Sequence, residues 1–356
     1  MNLINTQLMN KVNHSIDRYF LAFLLGAYIL AGLAPAGGLA LSGIKFGHIN
    51  FLRENIDVSF SMSLLALLLF NAALSSKVTE LLGVPRKLIL VLCAVATTVF
   101  LPVLLTVGLS SLLNLWHNGD ELQNLLVGLA LIAGMPIAGS SAAWAQNSGG
   151  NGGLSLGLIV LSIFLSPLAA PFTLTAFSHL TTGDYQEDLQ EMAAQGTHVF
   201  LWLTVVLPSV LGIGLKFGLG EDKVTPIKPY LKFISLLTLI LLNYMNGSKA
   251  LPAVFKTPDL DFIVFIAGVT AFISAVSFGA GALLAKMFKC TRADALALVF
   301  ALGMSNTGTG LVLASGALAD HPGVLLPMIF YTLVQQALAG LIYTYLSRRQ
   351  LTAQII

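Results

Sequence analysis

Apolar residues run through this chain in long blocks, and most charged positions fall between the blocks rather than inside them. Runs poor in charge predict ten helical spans near 19–42, 58–76, 88–114, 122–145, 153–178, 197–215, 230–247, 262–285, 295–317 and 322–346. The longest uncharged stretch, Leu122 to Gly183, holds 62 residues. At about 1.5 Å per helical residue it is roughly three bilayer cores long, so it is not one helix. Asn147-Ser148-Gly149-Gly150-Asn151-Gly152-Gly153 divides it, because glycine gains freedom on leaving a helix. Ahead of that division, Gly134-Met135-Pro136-Ile137-Ala138-Gly139-Ser140-Ser141 interrupts the fourth span where the hydrocarbon centre should lie. Freed backbone groups at that depth persist only where protein or a watery cavity satisfies them.

Composition narrows the class. Of 356 residues 56% are hydrophobic and 10% charged, with a mean hydropathy of +0.86. A soluble domain carries about 25% charged residues, so this is an integral membrane protein, with lipid as a partner and no nucleic acid. Cys93 in a span and Cys290 beside a cationic turn form no disulfide framework. The first 18 residues are polar, and no cleavable signal is apparent.

Charge also orients the spans. With the amino terminus inside, the inner segments hold fourteen basic residues: Lys11, Arg18, Lys77, Arg86, Lys87, Lys216, Lys223, Lys228, Lys232, Lys286, Lys289, Arg292, Arg348 and Arg349. The outer segments hold four, Lys45, Arg53, Lys249 and Lys256. Cytoplasmic loops carry the excess of Lys and Arg, so both termini are expected in the cytoplasm. The expected organisation is a cytoplasmic segment 1–18, a five-helix repeat 19–178, an external loop 179–196, a second repeat 197–347 and a cytoplasmic tail 348–356. Short loops make a bacterial inner membrane the default location.

Five spans per half is odd, so a duplicated half must insert upside down. A faint trace supports duplication: Gly134-Met135-x-x-x-Gly139-Ser140 matches Gly303-Met304-x-x-x-Gly308-Thr309 at an offset of 169. Both copies occupy the fourth span of their half. The fold expected is an all-α membrane protein of ten transmembrane helices in two inverted five-helix repeats, with helices four and nine broken and crossing.

The polar groups at the two interruptions are the candidate binding residues: Ser140 and Ser141 in span four, and Ser305, Asn306, Thr307 and Thr309 in span nine. Their hydroxyls and amides donate and accept, and half-helix amino termini add positive partial charge that favours a carboxylate or sulfonate. The same groups also serve as hydrogen-bonding glue between helices. Asn71 in span two and Asn243 with Asn246 in span seven either line a cavity or act as glue. No Asp, Glu, Lys or Arg falls at the predicted midplane of any span, where proton-coupled carriers usually place one. An enzyme is not expected: Ser140 has no base at its depth, and no His-Glu-x-x-His motif occurs.

At these residues the chain resembles the bile acid:sodium symporter family. Phe70-Asn71-Ala72-Ala73-Leu74-Ser75 with Pro85-Arg86-Lys87 and Pro102, Pro136 through Gly139-Ser140-Ser141 to Gly150-Asn151 and Leu154-Ser155, and Gly303-Met304-Ser305-Asn306-Thr307-Gly308 carry the likeness. Pro327-Met328-Ile329-Phe330 echoes the family's proline near the opening of the last span. The resemblance implies a panel made of the first two spans of each half, a core made of the other three, and two sodium ions behind the crossed helices. Carried across by motif, Ser141 and Ser155 match sodium-binding serines and Asn306 matches an asparagine near the substrate crevice. The family's glutamate is Ala301 here, an asparagine is Ala142, a glutamine is Ser305 and a hydroxyl is Ile159. A weak sodium site at Ser141 and Ser155, or none, is therefore expected, and no other cofactor.

The expected function is a secondary transporter moving a small organic anion by alternating access. The alternative is a sodium-independent uniporter or proton-linked carrier of a neutral or weakly acidic metabolite. A channel-like or sensory membrane protein is the third reading. Substrate identity and oligomeric state stay open. The topology is directly checkable: reporters fused after Ser347 should be active only in the cytoplasm, and reporters within 179–196 only outside. A carboxy-terminal reporter active outside would remove the ten-span arrangement.

Overall fold

The computed structural model describes residues 19–51, 54–76 and 87–355, together with Met9 and Asn13. Lys11, Arg18, Arg53, Lys77 and Arg86 of the charge count, His14, and Pro85-Arg86 of the basic turn lie outside the described residues.

Among the described residues the chain is an all-α membrane protein apart from one hairpin. Helices α1 (Phe20–Leu33) and α2 (Ala36–Ser42) are followed by β1 (Lys45–Phe51) and β2 (Glu54–Ser59), then α3 (Phe60–Ser75), α4 (Leu88–Leu113), α5 (Gly119–Gly134) and α6 (Ser140–Asn147). Next come α7 (Gly152–Ser178), α8 (Asp184–Ala194), α9 (Thr197–Leu219, with a π turn at Trp202–Val206) and α10 (Lys228–Lys256). The chain ends in α11 (Leu260–Met287), α12 (Arg292–Gly303), α13 (Thr307–Ala317) and α14 (Leu325–Ile355).

Among the described residues six helical stretches are long and apolar enough to cross a membrane. They are Leu88–Leu113, Gly152–Ser178, Thr197–Leu219, Glu221–Lys256, Leu260–Met287 and Pro322–Arg348, and α1 with α2, bent by 95°, makes a seventh. The remaining expected spans are α3, with 16 residues, and the two broken pairs α5–α6 and α12–α13.

The outer segment between the first two expected spans, for which the all-α expectation named no strand, forms the antiparallel hairpin β1–β2. Asp57 fixes it, accepting from Lys45 Nζ at 2.6 Å and pairing with His48. Those two hydrogen bonds hold the Asp57 carboxyl below its ordinary pKa. A second departure concerns the seventh span, expected to end near residue 247. α10 continues without interruption to Lys256, so Lys249 sits within a helix rather than in an outer segment.

Contacts divide the chain into two units. The first comprises Met1–Ser76, Ala194–Asp259 and Leu311–Leu325. The second comprises Lys77–Ala193, Leu260–Gly310 and Leu326–Ile356. The spans expected near 19–42, 58–76, 197–215 and 230–247 thus fall in the first unit, together with 311–325.

In the first unit α10 packs on α1 and α3, and α9 packs on α3. Gly247 permits the approach of α1, since a Cβ there would lie 3.0 Å from the Tyr28 ring and 3.1 Å from Ala31. The bend between α1 and α2 falls at Ala34-Pro35, where Tyr244 Oη donates to the exposed Ala34 carbonyl at 2.7 Å.

In the second unit the broken helices are the innermost. α5 is buried from Leu125 through Gly134, and α12 from Leu296 to Leu298 and from Phe300 through Gly303. A helix apolar on all faces is stable only when covered on all faces. Each begins with a buried acid at its third position. Glu121 accepts from Trp116 Nε1 and Asn118 Nδ2, both at 2.7 Å, while Asn118 caps α5. Asp294 follows the Thr291 cap of α12, accepts from Asn151 Nδ2 at 2.8 Å and pairs with Lys87. Because Lys87 precedes α4 and Asn151 caps α7, one carboxylate ties three helix starts together.

Candidate functional site

α5 ends at Gly134 because proline at 136 disfavours the helical region for the residue before it. Met135 is extended, with φ −83° and ψ 149°. α12 ends at the corresponding Gly303, with Met304 extended at φ −130° and ψ 109°. Glycine is required at both ends for close approach. A Cβ on Gly134 would lie 2.6 Å from Thr173 Oγ1 on α7, and one on Gly303 would overlap the Phe278 ring on α11.

The two breaks then pair with each other. Ile137 and Ser305 form an isolated antiparallel bridge. Ala138 N–H donates to the Met304 carbonyl at 2.9 Å, and Asn306 N–H donates to the Pro136 carbonyl at 2.8 Å. Neighbouring helices supply the outer partners. Ser162 Oγ on α7 accepts from Ile137 N–H at 3.0 Å. On the other side Gln335 of α14 holds Ser305 at both ends, its Oε1 accepting from Ser305 N–H at 3.0 Å and its Nε2 donating to the Ser305 carbonyl at 3.2 Å. The next residue, Gln336, accepts from Trp144 Nε1 of α6 at 3.0 Å. An apolar cluster of Ala138, Ala145, Phe278, Leu296, Phe300, Met304 and Ala339 backs the crossing.

The expected residues take different places around it. Ser140 opens α6 and is exposed, whereas Ser141 is 1% exposed and its Oγ has no hydrogen-bond partner. Ser305 is half-buried within the bridge. Asn306 is also half-buried, and its Oδ1 accepts from Thr309 N–H at 3.3 Å, capping the start of α13. Thr307 Oγ1 accepts from Thr332 Oγ1 at 2.7 Å, and Thr309 Oγ1 is buried without a partner. These six residues gather at the amino termini of α6 and α13. Ser155 lies on α7, where its hydroxyl donates to the Asn151 carbonyl at 3.0 Å. Asn71 belongs to the first unit, buried, with Nδ2 unpartnered.

Gln335, Gln336 and Ser162 escaped the reading of the sequence. The only signal for the two glutamines was the adjacency of two amides in an otherwise apolar last span, and that pattern does not say which distant backbone they serve.

The crossing offers two helix amino termini, hydroxyls and an amide in an environment otherwise apolar. Paired interruptions of apolar helices are found at the binding sites of secondary transporters. The model of the SBF-like CPA transporter family matches residues 18–348, and the chain belongs to that family. It is also 31% identical over 238 residues to the uncharacterized protein YbaS of Bacillus subtilis (strain 168). That match covers 67% of this chain and 73% of the relative.

The clamp on Ser305 carries a definite energetic expectation. Gln335→Leu leaves a backbone N–H and a carbonyl unpaired in a buried setting, at roughly 1–3 kcal/mol for each group. The variant should melt well below the wild type in detergent, and below Gln336→Leu, which frees only one half-buried indole N–H. Equal melting temperatures for all three proteins would mean that water replaces the amide at no cost.

Proposed function

We propose that this protein is a secondary transporter that moves a small organic anion by alternating access, on ten spans arranged as two inverted five-helix repeats. The observation that carries the reading is the antiparallel pairing of the two breaks, Ile137 with Ser305, at corresponding points of the two halves. Paired interruptions of this kind mark the binding site of transporters with inverted repeats. The amino termini of α6 and α13 favour negative charge, and Ser140, Ser141, Ser305, Asn306, Thr307 and Thr309 offer donors beside them. Membership of a transporter family supports the reading further.

Counterflow in proteoliposomes tests it. Purified protein loaded with unlabelled organic acids, cholate and hexanoate among them, should accumulate the labelled acid transiently, as a carrier does and a channel does not. Asn306→Leu should abolish the counterflow with the fold retained, because leucine of similar size packs without capping α13 or donating to a ligand. Undiminished counterflow in that variant would return Asn306 to the role of helix glue.

Sodium coupling fits these residues poorly. A buried cation needs several converging oxygens and usually a compensating negative charge. Ala301 is 1% exposed and presents only a methyl group, and Ile159 presents only hydrocarbon. Ser141 and Ser155 contribute two hydroxyl oxygens. The sodium-independent carrier of the second reading is thus the coupling mode these residues favour. Millimolar sodium should change neither the counterflow rate nor the melting temperature more than potassium does. A steep rise with sodium alone would show that backbone carbonyls complete a site.

A further inference from the structure

The first unit holds a polar patch that the crossing does not use. Asn243, Asn246 and Lys249 recur every three residues along one face of α10, about 4.5 Å apart along the axis. Asn243 is fully engaged: the Tyr28 hydroxyl donates to its Oδ1, and its Nδ2 donates to the Leu239 carbonyl at 2.7 Å. Asn246 is different. It is 1% exposed, and neither its Nδ2 nor its Oδ1 has a hydrogen-bond partner. Buried amides are nearly always paired, so an amide without a partner at either end has its full hydrogen-bonding capacity to spare.

Lys249 follows one turn later and is half-buried. Its Nζ donates to the Ser315 carbonyl at 2.7 Å, which leaves two of its three protons. Among the described residues no carboxylate forms an ion pair with it. A lysine near a membrane surface usually extends its amine outward. Lys249 instead lies seven residues short of Lys256, at the helix end, a rise of about 10 Å, and turns to the Ser315 carbonyl. Gly38 on α2 lets that helix close over the turn, since a Cβ there would overlap Ser248 Oγ.

An ammonium without a counter-charge beside an amide without partners is a receptor for a single negative charge. We propose that Lys249 and Asn246 bind the acid group of an organic monoanion, a carboxylate or a sulfonate. The acid oxygens accept the two free ammonium protons and the Asn246 Nδ2–H. A dianion would leave one charge uncompensated in a half-buried setting, so the site selects monoanions. The inference rests on the transport reading and adds to it the chemistry that selects the substrate.

Thermal melting of the purified full chain tests the site with hexanoate, hexanesulfonate and the neutral hexanamide as probes. Both anions should raise the melting temperature of the wild type, and hexanamide should not. Lys249→Gln should weaken the response to the anions at least about tenfold, while Lys249→Arg keeps most of it. Should Lys249→Gln fail to fold for want of its bond to Ser315, Asn246→Ala decides, because it removes no hydrogen bond in the protein and should also weaken the response. The proposal is overturned if hexanamide acts as the anions do, if either neutralising variant responds like the wild type, or if no anion shifts the wild type. The result also separates the two readings. Anion shifts that depend on Lys249 in a protein without counterflow would remove transport and leave the site standing. Sound counterflow that accepts hexanamide as readily as hexanoate would do the reverse.

Discussion

A broken helix in a membrane protein must find partners for the backbone groups that the break frees, because lipid supplies none. Here the two breaks solve the problem mutually. The antiparallel bridge gives Ala138 and Asn306 N–H groups the carbonyls of Met304 and Pro136, and side chains from α7 and α14 complete the outer edges. Much else in the second unit serves this pairing. Gly134 and Gly303 admit the flanking helices, the Phe278 and Phe300 rings (centroids 6.2 Å apart) fill the space behind, and Glu121 and Asp294 anchor the far ends of the two helices.

The two units handle polarity differently. Around the crossing every donor is neutral, a backbone N–H, a hydroxyl or an amide, and the ionised groups stand at the helix starts. The first unit places an ammonium inside a helix and answers it with a single carbonyl. A neutral site holds a ligand by geometry and releases it readily. A charged one ranks ligands by their charge, since a buried ammonium interacts far more strongly with an anion than with a neutral molecule of the same shape.

The breaks were legible in the sequence because glycine, proline and small polar residues interrupt apolar runs at two points 169 residues apart. Their partnership was not. Hydrogen bonds between Ile137 and Ser162, or between Ser305 and Gln335, leave no local periodicity to detect. The end of the seventh span was misjudged for a related reason: a window that counts charge stops at Lys249, whereas the backbone of α10 continues for as long as tertiary contacts support it. The hairpin between spans one and two was not read from the sequence, because its strand pairing depends on register rather than composition. Ser140 and Asn306 were readable as polar groups at an interruption. That Asn306 caps α13, and that Ser141 and Thr309 are buried without partners, needed coordinates.

The crossing is not symmetric at the level of single atoms. The break in the first half has five residues, Met135 to Gly139, and the one in the second has three, Met304 to Asn306. At the offset of 169, Pro136 corresponds to Ser305. Proline has no N–H to satisfy, so the first half asks for nothing there, while Ser305 requires the Gln335 side chain. Residue 305 and Gln335 are therefore energetically coupled. Proline at 305 would end the demand for the Gln335 Oε1 but not for its Nε2, which donates to the residue-305 carbonyl, so a change at 305 alone would not free Gln335 to vary.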